Sequence, residues 1–352
     1  MEEKKKTARE IIEGYDGPPV RIMEVCGTHT HEIFRLGIRK LLPEQVELIS
    51  GPGCPVCVTQ VGFIDEAIYL ALERQVTICT FGDLVRVPGT NMSLAGAREK
   101  GAKIRIVYSP VDAKEYAKEH PKEQVTFLSV GFETTTPSAC LSVKKAREEG
   151  LTNYSILTAN KTMPQAYEAL KGSADIFLYP GHVNAITGTK LCEELAKEGV
   201  SGVVAGFTAK ELLTALAVAL ARFQEGRPFF VNCYPRVVTE NGSPQAQKLV
   251  EEMMEPCDSE WRGLGVIKGS GMRLQEEWSA FDARKKYKIP PIQGKANPAC
   301  RCGDVLQGKC KPSDCKVFGK VCTPQHPIGA CMVSGEGACS AYYMYGEAEE
   351  MK

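Results

Sequence analysis

The chain alternates short β-rich runs with segments of helical periodicity from residue 20 to about residue 223. Each strand-like run is followed by a segment whose apolar residues recur every three or four positions. Eight such pairs follow one another, and their strand-like runs are RIMEV, VELIS, VTICTF, KIRIVY, QVTFLSV, YSILTA, DIFLYP and GVVAGF. This alternation predicts an α/β fold with parallel sheets that are covered by helices on both faces.

The length of 352 residues exceeds what one ordinary core accommodates, so two or three domains are expected. The polar stretch EHPKE (119–123) indicates a boundary between the fourth and fifth strand–helix pairs. We therefore predict two doubly wound parallel-sheet domains, at 15–122 and 123–240, and a smaller Cys-rich domain formed by 241–352 together with 1–14. A single closed barrel of eight strand–helix units is the alternative topology.

The composition limits the classes of partner and the location. Basic and acidic residues balance at 43 each and 43% of residues are hydrophobic, so no nucleic-acid or membrane partner is expected. The opening stretch MEEKKKTARE lacks the apolar core of a secretory signal, and LLTALAVALA (212–221) is too short to cross a bilayer. These features predict a soluble, cytoplasmic protein.

Cysteine is the unusual component, with 15 in all and seven between Cys300 and Cys339. In a reducing compartment this density indicates metal binding or catalytic redox chemistry rather than a disulfide framework. The alternative is that cysteines serve as small buried hydrophobic residues. That alternative suits Cys79, Cys140 and Cys192, which lie within strand-like or helical patterns, but it does not suit the clusters.

Two of the cysteine-bearing motifs follow directly on predicted strands. CGTHTH (26–31) follows RIMEV, and GPGCPVC (51–57) follows VELIS. Ligands of open parallel sheets bind outside the carboxyl ends of the strands. The thiols and imidazoles of both loops are therefore predicted to emerge on one rim, and they are Cys26, His29, His31, Cys54 and Cys57. The same residues could instead form a closed zinc site, a redox dithiol or a simple tight turn.

Two further loops occupy equivalent places in the second half of the chain, GFETTTP (131–137) and PGHVNA (180–185). If the two domains face each other, they enclose a cleft lined by three thiols, up to three imidazoles and the carboxylate of Glu133. Glu133 has no capping role at its offset from the following helix, which favours a function. For His182 a structural hydrogen bond and a functional role are both open.

The tail places its cysteines with irregular spacing, at residues 300, 302, 310, 315, 322, 331 and 339. Neither the paired CxxC knuckles of zinc ribbons nor the C-x2-C-x2-C run of bacterial ferredoxins is present. The spacing suits a four-iron four-sulfur cluster held by four thiols beside a thiol pair that exchanges electrons as a disulfide. A structural zinc site is the alternative.

Taken in order, CGTHTH, GPGCPVC, GFETTTP, PGHV and the seven-cysteine tail resemble the HypD family of nickel–iron hydrogenase maturation factors. The resemblance covers nearly the whole chain. It implies two Rossmann-like domains and a third domain with a four-iron four-sulfur cluster. It also implies a scaffold on which iron acquires two cyanides and one carbon monoxide before transfer to the hydrogenase large subunit.

The resemblance further implies partners and residue roles. A small HypC-type chaperone would add a thiolate, and a HypE-type carrier would bring cyanide as a thiocyanate. The iron that receives the cyanides would be bound by Cys26, Cys54 and Cys57, with His29 and His31 nearby. The cluster ligands would be Cys300, Cys315, Cys322 and Cys339, and the exchangeable thiols Cys302 and Cys331, which leaves Cys310 spare.

The chemistry of such a scaffold agrees with these residue types. Low-spin iron with cyanide and carbonyl ligands prefers soft thiolates, and helices that begin at both loops are expected to lower the thiol pKa values. The expected activity is that of a redox-active assembly scaffold, at the border of enzyme function. Two alternatives remain open, a stand-alone cluster-fed thiol–disulfide oxidoreductase and a protein with purely structural zinc sites.

Overall fold

The structure is a computed structural model, and it describes residues 6–346. Residues 1–5 and 347–352, which the sequence assigns to the Cys-rich domain, lie outside the described residues. All eight predicted strand runs form strands, and three further strands follow them along the chain. The strands are β1 (Val20–Glu24), β2 (Val46–Ser50), β3 (Thr77–Thr80), β4 (Ile104–Ile106), β5 (Val125–Gly131), β6 (Tyr154–Asn160), β7 (Ile176–Pro180), β8 (Ser201–Ala205), β9 (Phe230–Asn232), β10 (Met254–Trp261) and β11 (Gly265–Leu274).

Helices connect the strands in the predicted alternation, and short helices continue into the tail. They are α1 (Ala8–Glu13), α2 (Gly27–Arg35), α3 (Pro55–Val58), α4 (Val61–Glu73), α5 (Leu94–Glu99), α6 (Pro110–Glu119), α7 (Thr136–Glu148), α8 (Met163–Ala169), α9 (Gly181–Thr187), α10 (Lys190–Lys197), α11 (Ala209–Phe223), α12 (Pro244–Met253), α13 (Ala283–Lys286), α14 (Cys302–Leu306) and α15 (Ala338–Tyr345). Within residues 6–346, no helix combines the length and apolarity needed to cross a membrane.

The strands form two open parallel sheets rather than one closed barrel. The first sheet has the order β2-β1-β7-β8-β9 and the second the order β4-β3-β5-β6, and every pairing within them is parallel. Buried apolar side chains cover both faces of each sheet. The predicted parallel α/β architecture is thereby confirmed.

The sheets do not divide at residue 122, where the sequence predicts a domain boundary. β1 and β2 pair with β7, β8 and β9 in the first sheet, whereas β3, β4, β5 and β6 form the second. The second sheet is thus an insertion between two parts of the first. The alternation of strands and helices records local structure only, and it carries no information on which distant strand becomes the neighbour of β1.

An antiparallel hairpin and the Cys-rich tail complete the described molecule. β10 and β11 pair with each other, and a bridge between Lys161 and Gly271 joins the hairpin to the end of β6. The tail packs on α2, where the rings of Phe34 and Tyr342 lie 4.5 Å apart. The tail is rich in Pro, Gly and Cys and is too small to form a hydrophobic core of its own, so it packs its apolar side chains against a helix of the first sheet.

Candidate functional site

The loops after β1 and β2 meet at the carboxyl edge of the first sheet. Glu24 and Ser50, the last residues of the two strands, are paired in register. Beyond them the Gly27 N–H donates to the Gly53 carbonyl at 3.0 Å, and a Cβ on Gly53 would overlap the backbone of Cys26. The two thiol-bearing turns are therefore in backbone contact, as the parallel-strand rule predicts.

Each turn places a cysteine at the start of a helix. Cys26 is the N-cap of α2, and Cys54 is the N-cap of α3, where its Sγ accepts the Cys57 N–H at 3.3 Å. The expectation of lowered thiol pKa values is nevertheless wrong for two of the three rim thiols. Burial raises the pKa of Cys26 to about 12, and burial also raises the pKa of Cys57 well above its ordinary value. Loss of hydration outweighs the backbone N–H groups that point at the Cys26 sulfur.

His29 is buried and keeps one ring nitrogen without a partner. Its Nε2 lies 3.0 Å from the Gly206 carbonyl, which can only accept, so Nε2 carries the hydrogen. Nδ1 is then a buried lone pair without a hydrogen-bond partner among the described residues. Burial lowers the pKa of His29 to about 4, so the ring is neutral at pH 7 and Nδ1 can ligate a metal or accept a proton.

His182 lies at the start of α9, at the same edge of the first sheet as the Cys26 loop, and not in a facing domain. It follows β7, which is the neighbour of β1 at the point where the strand order of this sheet reverses. The exposed His182 ring stacks on Phe207 with centroids 3.9 Å apart, and Phe207 also contacts His29 at 4.8 Å. The two imidazoles therefore flank one aromatic ring at the switch point, which is the usual ligand position in such sheets.

His31 contacts the tail rather than the thiols. Its Nδ1 lies 3.0 Å from the Gly335 carbonyl, and its ring meets Tyr345 edge-on. Beside it, the Thr28 hydroxyl donates to Glu336 Oε1 at 2.6 Å, and a Cβ on Gly27 would come within 2.7 Å of the Glu336 Cβ. The turn around Glu336 thus closes over the Cys26 loop.

Glu133 has a structural partner that its position in the sequence does not suggest. Its Oε1 accepts the N–H of Met163 at the start of α8 at 2.8 Å, so it caps a helix other than the one that follows it. Its Oε2 is buried and has no partner among the described residues. Burial raises the pKa of Glu133 to about 7. Burial raises the pKa of Tyr167 well above its ordinary value, and the negative charges that Glu133 and Cys26 can carry raise it further.

Six of the seven tail cysteines surround one small pocket. The remaining pocket walls are mostly apolar, with Val305, Val317, Phe318 and Met332 among them. A Cβ on Gly329 would lie 2.5 Å from the Cys300 sulfur, so the glycine keeps the pocket open. The cysteines of the pocket are Cys300, Cys302, Cys315, Cys322, Cys331 and Cys339, whereas Cys310 does not line it.

The thiols of the tail pocket interact with the thiols of the GPGCPVC turn. The sulfurs of Cys302 and Cys331 lie 2.6 Å apart, and the Cys331 thiol also interacts with those of Cys57 and Cys339. Cys57 in turn interacts with the thiol of Cys54. All fifteen cysteines are free thiols in the structure. Interactions between thiols therefore link the GPGCPVC turn with the tail pocket.

The donor set of the tail pocket fits an iron–sulfur group. Soft thiolates are the ligands that such groups take, and apolar walls and limited solvent access are typical of their sites. Within residues 6–346, no three histidine, cysteine or acidic side chains are close enough together to hold a single metal ion. The ligands of a cluster are distributed over several irons, so a ring of thiols around a pocket is the arrangement that suits it.

The sequence predictions missed three residues at this site. Glu336 lies between two glycines just before Cys339, which is a signal comparable to that of Glu133 in its Gly-Phe loop. Glu24 is a charged residue in the apolar strand β1, and its buried carboxylate accepts from Thr30 and Arg39 and so holds α2 in place. Arg262 carries no such signal, because its place depends on how the hairpin packs.

Comparisons with known proteins identify the family of the chain. The model of the HypD hydrogenase formation hypA family matches residues 2–346. The hydrogenase maturation factor HypD of Cupriavidus necator is 41% identical over 352 residues, which cover 96% of this chain and 93% of that protein. The HypD factors of Rhizobium leguminosarum bv. viciae and Escherichia coli K12 are each 43% identical, over 98% and 94% of this chain and over 94% and 90% of their own lengths. With a family match over nearly all of its length and relatives of this similarity, the chain belongs to the HypD family of hydrogenase formation proteins.

Proposed function

We propose that the protein is a hydrogenase maturation factor that acts as a scaffold for assembly of the Fe(CN)2(CO) unit of nickel–iron hydrogenases. The observation that carries this proposal is the backbone contact between the Cys26 turn and the turn of Cys54 and Cys57. Three soft sulfur donors on two touching turns suit an iron that must keep positions free for small ligands. Because no three such side chains within residues 6–346 are close enough to hold one metal ion, the turns would have to draw the three sulfurs together when iron binds. The iron is cargo, and it leaves with its cyanide and carbonyl ligands.

Burial of the rim thiols sets how iron binds. Because the pKa values of Cys26 and Cys57 are raised, both thiols are protonated at neutral pH until a metal arrives. Iron binding must displace these protons, so its affinity increases with pH.

The thiols can also supply the electrons that cyanide delivery requires. Cleavage of a thiocyanate follows R–S–CN + 2e⁻ + H⁺ → R–SH + CN⁻, and oxidation of two thiols to a disulfide provides two electrons and two protons. Cys54 and Cys57 are the dithiol at the rim. The contact of Cys57 with Cys331 supports exchange of the resulting disulfide with the pair formed by Cys302 and Cys331.

The remaining pocket thiols, Cys300, Cys315, Cys322 and Cys339, would hold a four-iron four-sulfur cluster. When bound, such a cluster supplies single electrons. Cys302 and Cys331 are adjacent to these ligands and have each other within reach, which is what a thiol pair needs in order to convert single electrons into two-electron exchange.

The groove beside the rim supports docking of the HypC-type chaperone. It encloses about 740 Å³, and its lining includes Thr28, Ile106, Tyr108 and Glu336 together with Pro55 and Val56, which directly follow Cys54. Tyr108 is 93% exposed and Ile106 48% exposed, so apolar surface is available in this groove. A partner segment seated there could bring its own thiolate to the iron. The HypE-type carrier would deliver its thiocyanate to the same rim.

Anaerobic addition of iron(II) to the purified protein tests the scaffold. We expect wild-type protein to bind iron beyond the content of the tail, and we expect Cys54→Ala to lose this additional iron. Cys192→Ala is the matched control, because Cys192 is a buried thiol that hydrogen-bonds Asn184 instead of the rim sulfurs. Unchanged iron binding by Cys54→Ala would favour the stand-alone thiol–disulfide oxidoreductase.

Metal analysis of anaerobically purified protein tests the tail. About four irons per chain with matching sulfide and no zinc is the expected result for one four-iron cluster. A colourless protein with stoichiometric zinc would contradict the cluster and favour a structural zinc site.

Infrared spectroscopy of the complex with its chaperone tests whether the protein carries the Fe(CN)2(CO) unit, since cyanide and carbonyl ligands have stretching bands of their own.

A further inference from the structure

Arg262 lies in the turn of the β10–β11 hairpin, between the two thiol-bearing parts of the site. Its backbone N–H donates to the Val58 carbonyl at 2.9 Å, and its Nε donates to the Thr59 carbonyl at 2.8 Å, directly after the GPGCPVC motif. The following residue, Gly263, has a φ of 83°, and a Cβ there would overlap Gly303 next to Cys302. The turn thus fixes Arg262 against both groups of thiols.

One nitrogen of this guanidinium has no partner. Nη2 of Arg262 is buried and has no hydrogen bond to any of residues 6–346. Arginine remains protonated in proteins, and leaving a buried charged donor unpaired costs about 1–3 kcal/mol or more. A side chain positioned by the hydrogen bond of its Nε, on a backbone held by a second hydrogen bond, therefore points its free N–H at something that becomes an acceptor in another state of the protein.

The surroundings of Arg262 identify this acceptor. Its side chain borders a cavity of about 270 Å³ together with Cys300, Cys302, Asn297 and Asp304. Asp304 already accepts from Arg301 at 3.0 Å. The pKa of Cys300 is raised by a hydrogen bond with Cys302 and by burial, whereas the charge of Arg262 acts in the opposite direction. Among these residues, the sulfurs of Cys300 and Cys302 are the remaining groups that can take up negative charge, and of the two only Cys300 is a proposed cluster ligand.

We propose that Arg262 is a positioning residue that donates its free N–H to the Cys300 sulfur once this sulfur is a thiolate, and that it thereby holds the metal group at the tail thiols at a less negative reduction potential. The proposal rests on the proposed cluster site. Charge-assisted hydrogen bonds are about twice as strong as neutral ones. A donor to a ligand sulfur stabilises the more negative, reduced state, and such bonds are among the factors that set the potentials of iron–sulfur groups.

A redox titration monitored by electron paramagnetic resonance tests the proposal in anaerobically purified protein. In Arg262→Gln we expect an unchanged iron and sulfide content. We expect its equilibrium constant for one-electron reduction to be about tenfold smaller, which lowers the midpoint potential by about 59 mV. Arg262→Lys keeps the charge and should show a smaller shift. Lys295→Gln is the matched control, because it removes the same charge from an exposed position in the neighbouring groove.

A potential of Arg262→Gln equal to that of Lys295→Gln would overturn the proposal. If wild-type protein holds no cluster, the cluster assignment fails and the role of Arg262 fails with it, whereas a cluster whose potential is unshifted in Arg262→Gln overturns the role of Arg262 alone. If Arg262→Gln does not fold, the potential of Arg262→Lys decides, and a value equal to that of wild type would overturn the role of Arg262.

Discussion

Several buried side-chain polar atoms within residues 6–346 have no hydrogen-bond partner. They include His29 Nδ1, Glu133 Oε2, Tyr167 Oη and Arg262 Nη2, of which His29 and Arg262 belong to segments that touch the thiol-bearing turns. Most buried polar groups in proteins are hydrogen-bonded, so a group of exceptions calls for an explanation in terms of function. The proposed assembly site, which would receive iron, protons and small anions in turn, needs donors and acceptors that are free in the resting state.

Glu133 allows a test at the level of a single residue. Its pKa is raised from the ordinary 4.5 to about 7, so the folded protein binds this proton more tightly than the unfolded chain does. The resulting stabilisation is complete below about pH 4.5 and is lost as the pH rises through 7. Glu133→Gln keeps the acceptor for the Met163 N–H. At pH 8 we expect its free energy of unfolding, measured by urea titration, to exceed that of wild type by at most about 3 kcal/mol, and at pH 4.5 we expect the two values to be similar.

The same variant separates a structural role from proton handling. If Glu133 handles protons during assembly, Glu133→Gln should reduce cyanide and carbonyl infrared bands in the co-purified complex although the variant is at least as stable as wild type. A variant that is destabilised at every pH, or whose stability difference from wild type does not change with pH, would contradict the raised pKa.

The approach of the two turns is a property of neighbouring elements. β1 and β2 are in register to their last residues, and the chain then has room for only a hydrogen atom at Gly53. Such an approach could be predicted in kind, because loops that follow adjacent parallel strands emerge at one edge. The closeness of the contact could not, since it depends on the conformation of both turns.

Gly53→Ala tests this contact. The added methyl group would overlap the backbone of Cys26, so the turns must separate, and we expect loss of iron binding at the rim and about 1–3 kcal/mol lower stability. Anaerobic equilibrium dialysis with iron(II) and urea unfolding measure the two effects. Gly96→Ala is the control, because its Cβ would meet the nearest neighbouring atom at 3.4 Å and alanine favours the helix. Iron affinity of Gly53→Ala at the wild-type level would show that the contact does not form the site.

Strand identity and strand partnership differ in how far the sequence determines them. All eight runs with β propensity form strands, whereas β9, with three residues, is too short for a periodic pattern. The place of PGHV in the first sheet follows from the pairing of β1 with β7, which lie about 150 residues apart. Periodicity reports local conformation, and only tertiary packing decides between partners that are equally apolar.

At the scale of the whole molecule, the tail packs against both the CGTHTH loop and the GPGCPVC turn. The turn of Glu336 closes over the Cys26 loop, and Cys331 reaches the Cys57 thiol. The sequence predicts a role for each cysteine cluster, but it contains no sign that the two clusters touch, because irregular Cys-Gly-Pro segments have no periodicity from which to infer direction. The proposed redox exchange between rim and tail is therefore the property that would depend most on the complete fold.

Chemical trapping of disulfides tests whether rim and tail thiols communicate. After mild oxidation, mass spectrometry of unreduced peptides should find Cys302 linked to Cys331 in wild type, since their sulfurs are 2.6 Å apart. In Cys302→Ser the freed Cys331 should link to Cys57, its neighbour at the rim. Cys192→Ser is the control and should retain the wild-type link. If Cys331 in Cys302→Ser links solely to other tail cysteines, the rim dithiol is isolated from the tail, and electrons for the proposed thiocyanate cleavage would have to enter at the rim from a partner protein.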